Sequence, residues 1–271
     1  MWNTSPSLTY KHPTLVSPSK KASGSTPVKD PDTPVHRSSK HHSSTSSTSV
    51  DLLGLTTALD PITYVHTPTS HKILRCTVIR ERPGLLNLYP KYFLYRESDK
   101  QLLCVARKRK KTASLSLLFS TDPNELTRCS PSVAGILDSQ LCFKTNSRES
   151  RLFDHCDQSI RRPIISISFS GSLKTTKRPR FVAACIHDQE SGQDLVLSQK
   201  EPVYDESSEA YVLNFGGRVC MASQKNFQLT CGSNEEIVLQ FGKTGEDSFI
   251  LDFRSPLSPL MAFAIACSSF H

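Results

Sequence analysis

Two hydropathy patterns divide the chain. From about residue 72 onward, short apolar or alternating runs recur at 73–80, 89–96, 101–106, 115–121, 141–144, 164–170, 180–187, 194–198, 210–215, 226–231, 236–241 and 248–253. Such runs read as strands when turn chemistry separates them. It does here, in Arg82-Pro83-Gly84, Asp122-Pro123-Asn124, Phe215-Gly216-Gly217 and Gly232-Ser233-Asn234. About a dozen strands with no long helical pattern between them predict an antiparallel barrel or sandwich. No internal repeat is visible.

The last apolar run is different. Ser258 suits a helix cap and Pro259 the first helical position. Leu260, Met261, Phe263 and Ile265 then alternate with Ala262, Ala264 and Ala266, leaving no polar face. A helix apolar all round must be buried all round. The economical solution is a mainly β fold whose sheet closes around this helix as a plug, with the alanines letting the wall approach.

Residues 1–50 show the opposite pattern. They hold 20 Ser and Thr, six of the 17 prolines and almost no apolar run. Such a stretch cannot bury enough apolar surface to offset its ordering entropy, and it predicts a disordered arm. The expected domains are therefore 1–70 for the arm and 71–271 for the barrel. Ser5-Pro6, Ser17-Pro18, Thr26-Pro27 and Thr33-Pro34 have the form of proline-directed phosphorylation sites, a pattern common in any such arm. The segment 50–55 (Val-Asp-Leu-Leu-Gly-Leu) is a small apolar island that reads equally as a partner-docking helix or as a transient spot.

Charge sharpens the picture. The net charge is +8. Residues 1–70 carry six Lys and Arg against four Asp and Glu, so most of the excess lies in the folded part. A basic domain attracts anionic membranes, nucleic acid or acidic partners. The run Arg107, Lys108, Arg109, Lys110 and Lys111 is the densest cluster, and Lys174, Lys177, Arg178 and Arg180 form a second. Each reads either as a solvated strand end or as an anion-binding surface, and the first run also as a nuclear-localisation patch. Neither is flanked by aromatic stacking platforms, so nucleic acid is the weaker partner.

The nine cysteines are scattered, odd in number and without a Cys-x-x-Cys pair, which reads as buried reduced thiols in a cytosolic protein. No metal-ligand cluster and no cofactor motif is apparent. The longest apolar run, 260–267, is far shorter than the roughly 20 residues needed to span a bilayer. The neighbours His155, Cys156 and Asp157 alternate along a strand and cannot meet as a catalytic set. Gly242-Lys243-Thr244 lacks the spacing of a phosphate-cradling loop. Asp122 and Glu125 read as turn stabilisers.

Several blocks carry a resemblance. Tyr211-Val212-Leu213-Asn214-Phe215-Gly216-Gly217-Arg218-Val219, then Ala222-Ser223-Gln224-Lys225-Asn226-Phe227-Gln228, then Gln240-Phe241-Gly242-Lys243 follow one another in order. Pro256-Leu257 and Ala262-Phe263-Ala264-Ile265-Ala266-Cys267-Ser268-Ser269-Phe270 close the series. Upstream stand Tyr89-Pro90-Lys91-Tyr92-Phe93-Leu94, the basic run and Thr121-Asp122-Pro123. From about 72 to 271 the chain resembles the tubby C-terminal domain, with the 170–210 region shorter than usual. That resemblance implies a closed antiparallel twelve-stranded barrel around a central hydrophobic C-terminal helix. It also implies a monomeric, non-enzymatic adaptor that binds phosphatidylinositol 4,5-bisphosphate and carries protein cargo into cilia with transport machinery.

The resemblance also locates the family's phosphoinositide groove. Ile136 stands where a Lys is expected and Asp138 where an Arg is expected, between the fixed points Gly135 and Leu137. Arg161, with Arg162 beside it, keeps a third cation, and Ser116 replaces an Asn. The two exchanges alter the pocket by three charge units. At an effective dielectric of about 20, each unit is worth a few kcal/mol at close range before screening. The specific site is therefore expected to be weakened or lost. The expected location is cytoplasmic, at a membrane periphery or cilium, with the nucleus as another option; a protein-interaction module without lipid binding, nuclear or not, is the alternative function.

Overall fold

The computed structural model describes residues 59–83, 89–109, 115–142, 147–155, 163–170, 180–188, 192–207, 210–232 and 236–270. Its strands are β1 (Leu74–Glu81), β2 (Lys91–Arg96), β3 (Leu102–Lys108), β4 (Leu115–Ser120), β5 (Val133–Cys142), β6 (Ser147–Asp154) and β7 (Pro163–Ser170). They continue as β8 (Phe181–His187), β9 (Asp194–Gln199), β10 (Val203–Asp205), β11 (Ala210–Val212), β12 (Phe227–Cys231), β13 (Ile237–Lys243) and β14 (Ser248–Phe253). Two helices, α1 (Pro61–His66) and α2 (Pro259–Ser268), complete the described elements.

Twelve strands close into a barrel in the order β1, β14, β13, β12, β9, β8, β7, β6, β5, β4, β3, β2. All neighbours are antiparallel, and the ring shuts where Leu74 faces Phe253 and Cys76 faces Arg96. Only β10 and β11 stand outside, as a separate hairpin between β9 and β12. Strands with one face to the core alternate inward and outward residues. The inward set includes Leu94, Leu117, Leu137, Leu152, Leu197, Leu229, Leu239 and Leu251, all wholly buried.

The plug forms as the sequence predicts. Ser258 Oγ accepts the Met261 N–H at 3.2 Å, satisfying a free amide of the first turn, and Pro259 occupies a position that needs no donor. Leu260, Phe263 and Ile265 are completely buried, and Met261 is half-buried. Phe263 meets Phe119 edge-on with centroids 5.5 Å apart. Gly135 on β5 leaves space for this approach. A Cβ there would lie 2.9 Å from the Phe153 carbonyl oxygen and 3.4 Å from a Leu260 methyl. After the helix, Phe270 stacks on Tyr92 at 4.7 Å and meets Phe249 edge-on at 4.9 Å.

Several expectations need correction. The run at 141–144 is only the tail of β5, which begins at Val133. Residues 133–137 are buried throughout, so no alternation marks them. Strand β6 has no counterpart among the predicted runs; its inward Ser150 pairs with inward Ser139 at 2.7 Å, so a hydroxyl pair stands where apolar residues were sought. The run at 210–215 forms only β11 and lies outside the barrel. The folded part also starts before residue 71. Asp60 caps α1, Val65 is 1% exposed within the main core, and His66 Nε2 lies 3.0 Å from the Ala134 carbonyl oxygen. The segment 50–55 and the residues of the arm before Leu59 lie outside the described residues.

Of the eight described cysteines, all are free, but only Cys76, Cys104 and Cys267 are buried. Burial pushes the Cys104 thiol up to about 12. No helix among the described residues is long and apolar enough to cross a membrane.

Candidate functional site

Alternating strand direction sorts the strand ends onto two rims. The ends of β1, β3, β5, β7, β9 and β13 share one rim with the starts of β2, β4, β6, β8, β12 and β14. Helix α2 follows β14 and runs from the opposite rim towards this one, where Phe270 packs against Tyr92 and Phe249. The first rim therefore receives Arg80, Lys91, Lys108, Arg109, Arg148, Arg180 and Lys243. Lys225, just before β12, joins them; its Nζ donates to the Ser269 carbonyl at 3.3 Å, at the negative end of the helix dipole.

The cations feel one another. Burial, then the charges of Arg180, Arg80 and Lys243, depresses Lys225 to about 8. Burial lowers Arg148, and burial together with Arg148 lowers Arg180. Arg180 lies over the Phe169 ring at 5.3 Å, and Arg80 and Lys225 lie over Phe270 at 5.4 and 5.6 Å. Asp247 neutralises part of the rim by binding Arg80 at 2.7 Å and Arg82 at 2.6 Å.

The predicted basic run is less uniform than its sequence. Arg107 is half-buried and tied down: its Nη2 donates to the Leu126 carbonyl at 2.6 Å, linking the loop between β4 and β5 to the barrel wall, and its Nε is buried without a partner. Lys108 and Arg109 are half-buried. Lys110, Lys111, Lys174, Lys177 and Arg178 lie outside the described residues, as do Arg161 and Arg162.

The positions that the resemblance assigns to a phosphoinositide groove lie in a partly apolar setting. Ile136 is 4% exposed and belongs to a second apolar cluster, on the outer face of the barrel, with Phe93, Val105, Leu118, Leu126 and Val133. Ser116, where the resemblance looks for an Asn, is wholly buried and accepts from Arg109 Nη1 at 3.4 Å. Asp138 sits between Ser116 and Arg151 in the strand register. A cation thus stands one strand away from where the family resemblance looks for it. Arg151, Arg148, Lys225 and Lys243 were not singled out from the sequence, because their convergence depends on closure of the barrel.

A second constellation lies towards the other rim. Cys185 and His187, two residues apart on β8, share a face, and Asp194 on β9 is registered opposite His187. His187 Nδ1 is 3.0 Å from Asp194 Oδ1, Cys185 Sγ is 3.5 Å from Asp194 Oδ2, and Ser166 Oγ is 2.8 Å from His187 Nε2. The His187 hydrogen bond holds the Asp194 carboxyl below its ordinary range, while burial and then Asp194 raise the Cys185 thiol. Beside these residues, an open groove of about 270 Å³ is lined by Arg151, Ser166, Ala183, Cys185 and Val196. The sequence suggested no clustered metal ligands. Antiparallel pairing nevertheless brings Cys185, His187 and Asp194 together, with their ligand atoms within 4.8 Å of one another.

Comparison of the sequence with known proteins points to one family. The Tub family profile matches residues 65–194 and 145–271. Tubby protein homolog 1 of Caenorhabditis briggsae is 33% identical over 244 residues, covering 74% of this chain and 57% of that protein. Tubby-related protein 1 of Homo sapiens is 31% identical over 246 residues, covering 78% and 45% respectively. Protein king tubby of Anopheles gambiae is 33% identical over 238 residues, covering 76% and 53%. The chain thus spans about half the length of the relatives it matches. The twelve-stranded barrel, the buried C-terminal helix and the profile match across both agree: the chain belongs to the Tub family.

Proposed function

We propose that this protein is a non-enzymatic adaptor that associates with membranes, as in ciliary trafficking, and carries protein cargo. In this reading the barrel meets anionic lipid through its basic rim without selecting one headgroup. The observation that carries it is the gathering of Lys108, Arg109, Arg148, Arg180, Lys225 and Lys243 at one rim, where Arg148 adds to the burial that lowers Arg180, and Arg180, Arg80 and Lys243 add to the burial that lowers Lys225. Several surface cations acting together give membrane attraction of about 1 kcal/mol each, which salt weakens. Headgroup selectivity needs cations converging inside a groove, and Ile136 within an apolar cluster and Asp138 beside Ser116 work against it.

Vesicle flotation tests this reading. The full chain should bind phosphatidylserine vesicles at physiological salt with no gain from added phosphatidylinositol 4,5-bisphosphate. Changing Lys108, Arg109, Lys110 and Lys111 to Gln should abolish flotation. Strong preference for the bisphosphate would overturn the loss of selectivity, and absence of binding to either vesicle would overturn membrane association.

A second reading, a protein-interaction module (nuclear or cytoplasmic) without lipid binding, draws on the side hairpin. There Val203 is 70% exposed, and Tyr204 and Val212 are also exposed. Failure to float in both vesicle types would favour it.

A further inference from the structure

We propose that the outer wall formed by β8 and β9 binds one zinc ion through Cys185 Sγ, His187 Nδ1 and the Asp194 carboxylate. Thiolate, imidazole and carboxylate are the ligand types zinc takes, and a sulfur ligand disfavours magnesium and calcium. The three ligand atoms lie within 4.8 Å of one another. Zinc bonds of about 2.0 to 2.3 Å in tetrahedral geometry set neighbouring ligand atoms roughly 3.3 to 3.5 Å apart. The observed separations of 3.0 Å between His187 and Asp194 and 3.5 Å between Cys185 and Asp194 need only small side-chain shifts.

The remaining partner is also in place. A ligating histidine normally anchors its second ring nitrogen on an acceptor, which fixes the tautomer and the ring plane. Ser166 Oγ, 2.8 Å from His187 Nε2, is such an acceptor. On metal binding the ring carries its proton on Nε2 and donates it to Ser166, freeing the Nδ1 lone pair. The Cys185 thiol releases its proton to solvent, and Asp194 exchanges that thiol donor for the metal. Three protein ligands leave a fourth position open towards the groove of about 270 Å³, where water completes the coordination.

The same residues contain a Ser166–His187–Asp194 chain that resembles a hydrolytic triad. Hydrolysis also needs amide donors directed at a developing oxyanion. Ser166 lies in the middle of β7, paired with Arg151 on β6 and Cys185 on β8. Its neighbouring amides serve the sheet ladder, so the triad has no oxyanion site from this strand. Cys185 has no role in a serine triad but completes a zinc set.

Cobalt and zinc titrations of the full chain test the proposal. Cobalt should produce a thiolate-to-metal charge-transfer band that saturates at one ion and is reversed by zinc. Cys185→Ser should remove the band. His187→Asn and Asp194→Asn should each weaken zinc binding, read by calorimetry, by at least about tenfold, and Ser166→Ala should weaken it by about tenfold. Far-UV circular dichroism would verify that each variant keeps the barrel, and Asp194→Asn serves if Cys185→Ser does not fold. No charge-transfer band, or a band that persists in Cys185→Ser through the other thiols, would overturn the assignment.

Discussion

If α2 is the core around which the wall closes, truncating one of its rings should be felt by the whole barrel. Phe263 is the sharpest probe: it is fully buried and meets Phe119 edge-on at 5.5 Å. Phe263→Ala removes that ring contact and leaves a cavity that surrounding strands, tied to one another all round, can only partly fill. Such truncations cost about 3 to 5 kcal/mol. Against a total stability of about 5 to 15 kcal/mol, this is a large fraction. A domain of this size loses about 2 to 4 °C in melting temperature per kcal/mol, so a drop of roughly 6 to 20 °C is expected.

Met261 provides the control. It lies on the same helix but is half-buried, so Met261→Ala should lose less than half as much. Scanning calorimetry, or near-UV circular dichroism in urea, suits the measurement. Tryptophan fluorescence does not, because the single tryptophan is Trp2, in the arm. Equal losses for the two variants, or a Phe263→Ala melting temperature within about 2 °C of the parent, would refute a central helix.

Two further outcomes follow from the same packing. A Cβ at Gly242 on β13 would fall 2.2 Å from a methyl of Val219, which is 7% exposed, so Gly242→Ala should destabilise by about 1 to 3 kcal/mol. Adding Val219→Ala should restore part of that loss in a double-mutant cycle by urea unfolding, and strictly additive losses would exclude the clash. Lys225 should titrate near 8 in the folded protein by NMR, against about 10.4 in the unfolded chain. Between those values the unfolded chain holds more protons at this group, so its contribution to stability rises with pH across that window. A Lys225 titration at 10 or above would contradict its burial among cations.

What the sequence revealed, and what it hid, divides along the barrel wall. The plug was legible because cap, proline and an unbroken apolar run agree at Ser258, Pro259 and Leu260 to Cys267. Strands such as β8 and β14 were legible because burial on one or both faces fills them with apolar residues. Strand β6 was not, because inward Ser150 interrupts its apolar face and Arg148, Glu149, Arg151 and Asp154 carry charge, which leaves only Leu152 and Phe153 apolar. Helix α1 is a single short turn-and-a-half whose one buried residue, Val65, gives no periodicity to read. The run at 210–215, which holds β11, was misplaced because pattern reports local extension, not which sheet receives it, and its partner β10 matched none of the predicted runs.

The candidate sites were harder still, for a related reason. Inward positions answer to the plug and are held by packing; outward positions answer only to their neighbours across the strand register. Ile136 shows the consequence. As a single position it is a missing cation, but in the fold it completes a cluster with Phe93, Leu118 and Leu126. A lysine restored there would have to thread its ammonium out past those side chains or bury it, and burial of a charge without a partner is strongly unfavourable. If headgroup selectivity is lost as proposed, one substitution therefore cannot restore it; Asp138 and the loop held down by Arg107 would have to change with it. The outward face of β8 illustrates the opposite drift, with Cys185 and His187 meeting Asp194 and Ser166 at no cost to the inward Val182, Ala184 and Ile186. A closed wall with its own internal support thus leaves its outward positions free to vary: the proposed loss of headgroup selectivity at β5 and the proposed zinc set at β8 and β9 both leave the core as it is.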